Sequence, residues 1–336
     1  MDIHANRLNR LGANEPIGVA CRATPKFTPN LQAARATRRH FVGLLTSIAF
    51  LPWASRIAAA DGSGPGREFG SSSVQTYPLF DEATASVIPK DGFQSRIALN
   101  DSIVKLVEHG VIDREKFLAL YAKGEPLPEE FVTILGKPSD RKILLTTRNA
   151  PYYVNLLWPV GLATQMKANA ESPLNGDSLF GFASTGGWTL GRKANGGAYF
   201  NKFPIIKLTK KQEALVVQIA KSTFRPCCNN STFFQDCNHG SALLGVLELG
   251  ASQGLSEKDL FQEALAFNSF WFPDYYIATA LYFKAVRNTA WRDVNPATIM
   301  GSEFSAGGPW QQNVQAKLAS IPNLFPPPKG GANCGT

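Results

Sequence analysis

Between residues 100 and 320 the apolar positions recur at the spacing of a helix with one buried stripe. Asp101 to Glu108 carries Ile103, Val104, Leu106 and Val107 and stops at Gly110, where a left-handed residue would close the helix. Asp113 is placed to cap the next segment, whose Phe117, Leu118, Leu120 and Tyr121 form the buried side. Pro128 opens Glu129 to Leu135 at a first-turn position, where a missing N–H costs nothing. Thr209 and Gln212 make a capping box ahead of Ala214 to Ala220, and Ser256 with Asp259 makes a looser one ahead of Leu260, Leu265 and Phe267. Pro273 breaks the chain before an apolar helix from Asp274 to Arg287, and Pro309 opens the last helix through Val314 and Leu318. Strand patterning is confined to short stretches near Ile143-Leu144-Leu145 and from Tyr199 to Ile206. The pattern predicts a mainly α protein, a single helical domain over residues 91–321 with Gly-rich loops.

Both flanks lack that periodicity. Residues 61–90 are rich in Gly and Ser and read as a flexible linker or surface strap. Residues 322–336 form a Pro/Gly-rich tail that suits neither helix nor central strand.

The first 60 residues follow a different logic. Arg38-Arg39 with Phe41 precedes an apolar run from Val42 to Trp53, then Arg56 and Ala58-Ala59-Ala60 before Asp61. These features resemble a twin-arginine (Tat) export signal. The resemblance implies removal of residues 1–60, engagement with the Tat export machinery, and a periplasmic or secreted destination. The apolar run is shorter than the roughly 20 residues of a spanning helix, so no stable membrane span is expected.

Removing the leader changes the meaning of the charge. The whole chain has 34 basic and 26 acidic residues, a net +8, but residues 1–60 hold eight of the basic and two of the acidic ones. The remainder is 26 basic against 24 acidic, which gives no support for nucleic-acid binding. The glycine-rich run around Gly186, Gly187 and Gly191 has Arg192 where a phosphate loop needs Lys, and no Ser or Thr follows at the required place.

Chemistry concentrates in one run. Four cysteines follow the leader, and Cys227, Cys228 and Cys237 lie within eleven residues with His239 beside them. A helix pattern resumes at Ser241, so Cys237 to His239 occupy a helix entry, where free N–H groups and the positive dipole end stabilise a thiolate. As a metal site the ligands would be Cys227, Cys228, Cys237 and His239, with Asp236 or His109 as outer candidates. Softness and crowding favour copper(I) or an iron–sulfur centre over zinc, whose templates place two or more residues between paired ligands. The reading is an exported protein binding a soft metal or redox centre, serving electron transfer or oxidation of a small molecule.

Two alternatives use the same atoms. In a thiol/disulfide enzyme Cys237 would be the nucleophile and His239 its base, with Cys227 or Cys228 resolving the intermediate. In a non-enzymatic binding protein the even count of Cys227, Cys228, Cys237 and Cys334 would form two disulfides in an oxidising compartment. An enzyme, if this is one, would be an oxidoreductase. The aromatic-rich stretch Phe270-Trp271-Phe272 with Tyr275, Tyr276 and Tyr282 has helical spacing and reads as core.

Overall fold

The computed structural model describes residues 76–122 and 126–327, and those from Tyr77 onward form one compact unit. Its elements are α1 (Pro78–Val87), β1 (Phe93–Asn100), α2 (Ser102–Glu108), α3 (Arg114–Leu120), α4 (Glu129–Thr133), β2 (Ser139–Leu145) and α5 (Ala150–Ala163). A long irregular segment follows, then α6 (Lys210–Ser222), α7 (Asn238–Ser252), α8 (Glu257–Trp271) and α9 (Pro273–Arg287). Short turns close the chain: α10 (Pro296–Met300), α11 (Ser302–Ser305), α12 (Gly307–Trp310), a π-helical turn over Gln311–Gln315, and α13 (Ala316–Leu318). The protein is mainly α, as the periodicity predicts. No helix among the described residues is long and apolar enough to cross a membrane. The leader lies outside the described residues.

The capping chemistry acts as its residue types suggest. Asp113 accepts from the N–H groups of Glu115 and Lys116, each at 3.1 Å, and so supplies two of the donors a helix start leaves orphaned. Thr209 and Ser256 both close capping boxes, with Gln212 and Asp259. Gly110 takes φ +69°, ending α2 in the left-handed conformation that only glycine adopts without strain. Pro273 is the first residue of α9, and the break between α8 and α9 falls on Phe272.

Several expectations need correction. Part of the 61–90 strap is the helix α1, which buries Ala83 and Val87 and links to α9 by a 2.9 Å ion pair between Glu82 and Lys284. Its apolar positions were hidden by the Ser/Gly stretch before it. Leu120, expected on the buried side of α3, is half exposed. Residues 199–206 make no strand: Phe203 forms one isolated bridge to Thr164, and Tyr199 belongs to a 3-10 turn. The partner of β2 is instead β1, paired antiparallel with Phe93 opposite Leu145 and Asn100 opposite Ser139. Side chains from helices complete the two-stranded sheet. Gln253 receives the Ala98 N–H at 3.0 Å and donates to its carbonyl at 2.8 Å, while Glu263 accepts from the Arg96 N–H at 2.9 Å and the Ser95 hydroxyl at 2.6 Å. These bonds satisfy backbone groups that a third strand would otherwise take.

The centre of the domain is the contact of α5 with α7. Helix α5 carries Pro151 at its start and Pro159 inside, and buries nearly all of its second half. A Cβ on Gly161 would overlap the Ser241 carbonyl oxygen, and one on Gly245 would lie 2.6 Å from the Leu157 carbonyl oxygen. Glycine at both positions lets the two backbones touch. Ser241 locks the crossing, donating to the Trp158 carbonyl at 3.1 Å and to Gln235 Oε1 at 2.7 Å. Gly161→Ala should therefore force the helices apart and lower stability by about 3 kcal/mol. A urea midpoint within error of wild type would show that the crossing gives way more easily than this.

Farther along α7, Glu248 is fully buried and neither carboxyl oxygen has a hydrogen-bond partner. Burial holds its pKa well above the ordinary carboxyl range. A folded-state pKa above the unfolded one contributes stability below the unfolded value, about 4.3 for Glu, and loses it as pH rises. Glu248→Gln removes that titration. Its stability relative to wild type should rise steadily from about pH 4.3 toward alkaline pH, read from denaturant midpoints across that range.

Candidate metal centre

The loop between α6 and α7 is organised around one side chain that the sequence reading overlooked. Arg225 is completely buried. Its Nη1 donates to the carbonyls of Asn230 (2.9 Å) and Ser231 (2.7 Å), and its Nη2 to Asn230 Oδ1 (2.7 Å), the Phe234 carbonyl (3.0 Å) and the Asp236 carboxylate. Asn230 Nδ2 donates to the other Asp236 oxygen at 2.8 Å. The planar fork thus takes up the inward-pointing acceptors of a loop that no regular element supports. Nε alone points elsewhere, to Cys237 Sγ at 3.2 Å.

Cys237 is the N-cap of α7, its sulfur accepting the Gly240 N–H at 3.3 Å. Cys227 Sγ lies 3.6 Å from Cys237 Sγ and 3.7 Å from Cys228 Sγ, and all three sulfurs fall within 4.8 Å of one another. The triad runs from surface to interior: Cys227 is exposed, Cys228 half-buried and Cys237 only 3% exposed. The far side of the loop is pinned to the C-terminal turns, where the Gly307 N–H donates to the Cys228 carbonyl at 2.9 Å and the Gly308 N–H to Asn229 Oδ1 at 2.7 Å.

The electrostatics divide the three thiols. Hydrogen bonds from Cys227 and Cys228, with help from the Arg225 guanidinium, hold Cys237 well below the ordinary thiol pKa despite its burial. Cys227 is pushed up, chiefly by its hydrogen bonds with Cys228 and Cys237. Cys228 is also raised, by its hydrogen bond to Cys237 and by burial, against the opposing effect of Cys227. Of the three, Cys237 is thus the thiol most disposed to ionise, and Cys227 and Cys228 the ones that resist ionisation.

These separations suit a single ion. Metal–sulfur bonds of about 2.3 Å place thiolates roughly 3.8 Å apart in a tetrahedron and roughly 4.0 Å apart in a triangle. The triad can hold a metal ion with little rearrangement. It forms no disulfide, since all three are free cysteines, so the staple expected among them is not present; Cys334 lies outside the described residues.

His239 does not belong to the tight group of ligand atoms. Its ring packs against Phe272, with centroids 4.5 Å apart, and edge-on to Trp271 at 6.0 Å, and its Nδ1 is buried without a partner. Burial lowers its pKa, so the imidazole is neutral at neutral pH. Asp236 neither caps α7 nor orients His239; it serves Arg225. His109 sits at the end of α2, stacked on Phe203 at 4.5 Å, and takes no part in the triad. Of the aromatic stretch, Trp271, Phe272 and Tyr276 are buried, as expected of core.

Arg225 had one signal in the sequence, a lone arginine two residues before the cysteine pair, which by itself reads as a surface charge. The chain matches no family model, no curated protein and no solved structure. What can be said of the site rests on its own geometry.

Proposed function

We propose that this is an exported protein that binds a single soft metal ion through Cys227, Cys228 and Cys237, and that the ion serves a redox or metal-handling role outside the cytoplasm. The observation that carries the proposal is the convergence of three sulfurs within 4.8 Å of one another. Thiolate softness narrows the candidates to ions such as copper(I) and zinc(II). An iron–sulfur cluster is less well supported, because a multi-atom core spreads its thiolates wider than this triad stands. Three donors satisfy copper(I), whereas zinc(II) calls for a fourth. His239 Nδ1, buried, unpartnered and outside the sulfur group, is the donor that a movement of the ring would bring to an ion demanding a fourth.

The thiol-enzyme alternative draws on the same lowered pKa of Cys237 but meets an obstacle. An attacking sulfur must be reachable, and Cys237 is 3% exposed while the exposed Cys227 has its pKa raised. Burial supports a ligand role over a nucleophile role.

Reduced, metal-free protein titrated anaerobically with Cu(I) and Zn(II) should bind one equivalent. Cys227→Ser, Cys228→Ser and Cys237→Ser should each weaken binding at least about tenfold, since each removes one of the three sulfur ligands. His239→Ala should weaken Zn(II) more than Cu(I). Purified protein that binds neither ion, with its thiols reduced, would end the metal reading.

The destination rests on the leader, whose Arg38-Arg39 and Ala58-Ala59-Ala60 support Tat export. That route carries folded proteins, which suits a centre loaded before export. Replacing both arginines with Lys should leave precursor in the cytoplasm, and the exported form should begin near Asp61 by N-terminal sequencing. Normal export of the double variant would remove the periplasmic assignment.

A further inference from the structure

Arg225 does more than a loop anchor needs. Four of its five N–H groups lie on Nη1 and Nη2 and are consumed by the loop and Asp236, so the guanidinium cannot swing away, and the fifth points at a sulfur of the triad. Space has been kept for it: a Cβ on Gly240 would lie 2.7 Å from both Cζ and Nε of Arg225. A fixed, fully buried cation therefore stands 3.2 Å from Cys237 Sγ. Its carboxylate partner compensates it only in part, because Asp236 sits on the Nη2 side, is 25% exposed, and shares its charge with Asn230.

Resting on the metal reading above, we propose that Arg225 decides which ion the triad holds, favouring a monovalent soft ion, Cu(I), over divalent competitors. Three thiolates around a monovalent ion leave two charges uncompensated, and around a divalent ion only one. A cation fixed beside one sulfur stabilises the more negative assembly more, and does so strongly where water is excluded. The hydrogen bond to Cys237 acts in the same direction, drawing electron density from a ligand that would otherwise make the centre too electron-rich. Arginine suits the task because it stays charged when buried and its fork fixes its position.

The test compares two affinities in the full chain under reducing, anaerobic conditions: Cu(I) by competition with bicinchoninate, and Zn(II) by competition with a chromogenic chelator. Arg225→Gln should lose Cu(I) affinity on the order of 10- to 100-fold and Zn(II) affinity several-fold less, shifting the ratio toward zinc. Arg225→Lys, which keeps the charge, should weaken both ions while retaining most of the wild-type ratio. Equal losses for both ions in Arg225→Gln would make Arg225 a loop anchor only and overturn the proposal, as would a Lys variant that behaves like Gln. Should the Gln variant fail to fold, Asp236→Asn decides, because it adds one net positive charge at the site while keeping the guanidinium itself. A ratio shifted toward Cu(I) supports the proposal, and an unchanged or opposite ratio overturns it. Wild-type protein that binds neither ion overturns the metal reading and this inference together, whereas wild-type binding with unshifted ratios overturns the inference alone.

Discussion

The close crossing of α5 over α7 is the constraint on which the rest of the domain depends. Gly161 and Gly245 let two backbones meet where any side chain would hold them apart, and Ser241 ties the start of α7 to α5 and to Gln235. Fixing the start of α7 fixes Cys237, its N-cap. Because α7 is buried along most of its length, the helix end has little freedom to shift, and the sulfur inherits that rigidity.

A second constraint is laid on this first one. The loop before α7 has no ladder of its own, and its carbonyls turn inward, which would be costly without donors. Arg225 supplies them. Burying a guanidinium is itself unfavourable, and burial opposes its charge, but the Cys237 sulfur it bonds acts in favour of the charge. The loop and the centre are thus mutually dependent: the acceptors of the loop hold the cation, and the cation holds a sulfur. The same segment reaches the C-terminal turns through Gly307 and Gly308, so the triad stands between the central helices and the last part of the described chain.

The arrangement also separates roles among three chemically identical residues. Cys237 is rigid, buried and held at a low pKa; Cys227 and Cys228 are adjacent, nearer to solvent, and held at raised ones. An incoming ion must displace protons from thiols that resist ionisation, which couples binding to proton release. The neutral imidazole of His239 lies close by, its Nδ1 without a partner.

Much of this was legible in the sequence, because it is local. Helix starts at Asp113, Thr209 and Ser256 are set by side chains that reach their own backbone within three residues, and the stop at Gly110 by a φ angle that only glycine adopts freely. The cysteine run and its position at a helix entry were visible for the same reason. What the tertiary structure alone decided is whatever depends on partners far along the chain. Helix α5 was missed because it is buried on most sides and shows no stripe to read, and β1 because its face is completed by Gln253 and Glu263 from helices more than a hundred residues away. Leu120 ended half exposed, and residues 199–206 stayed irregular, since strand propensity needs a neighbouring edge that is not there. Within the site, sequence placed Cys227, Cys228, Cys237 and His239 near each other, but only the fold turned three sulfurs together, left His239 against Phe272, and buried Arg225 between the loop and Cys237. Arginine next to cysteine in sequence is ordinary; a guanidinium with every donor spent and one aimed at a sulfur exists only once the chain has closed around it.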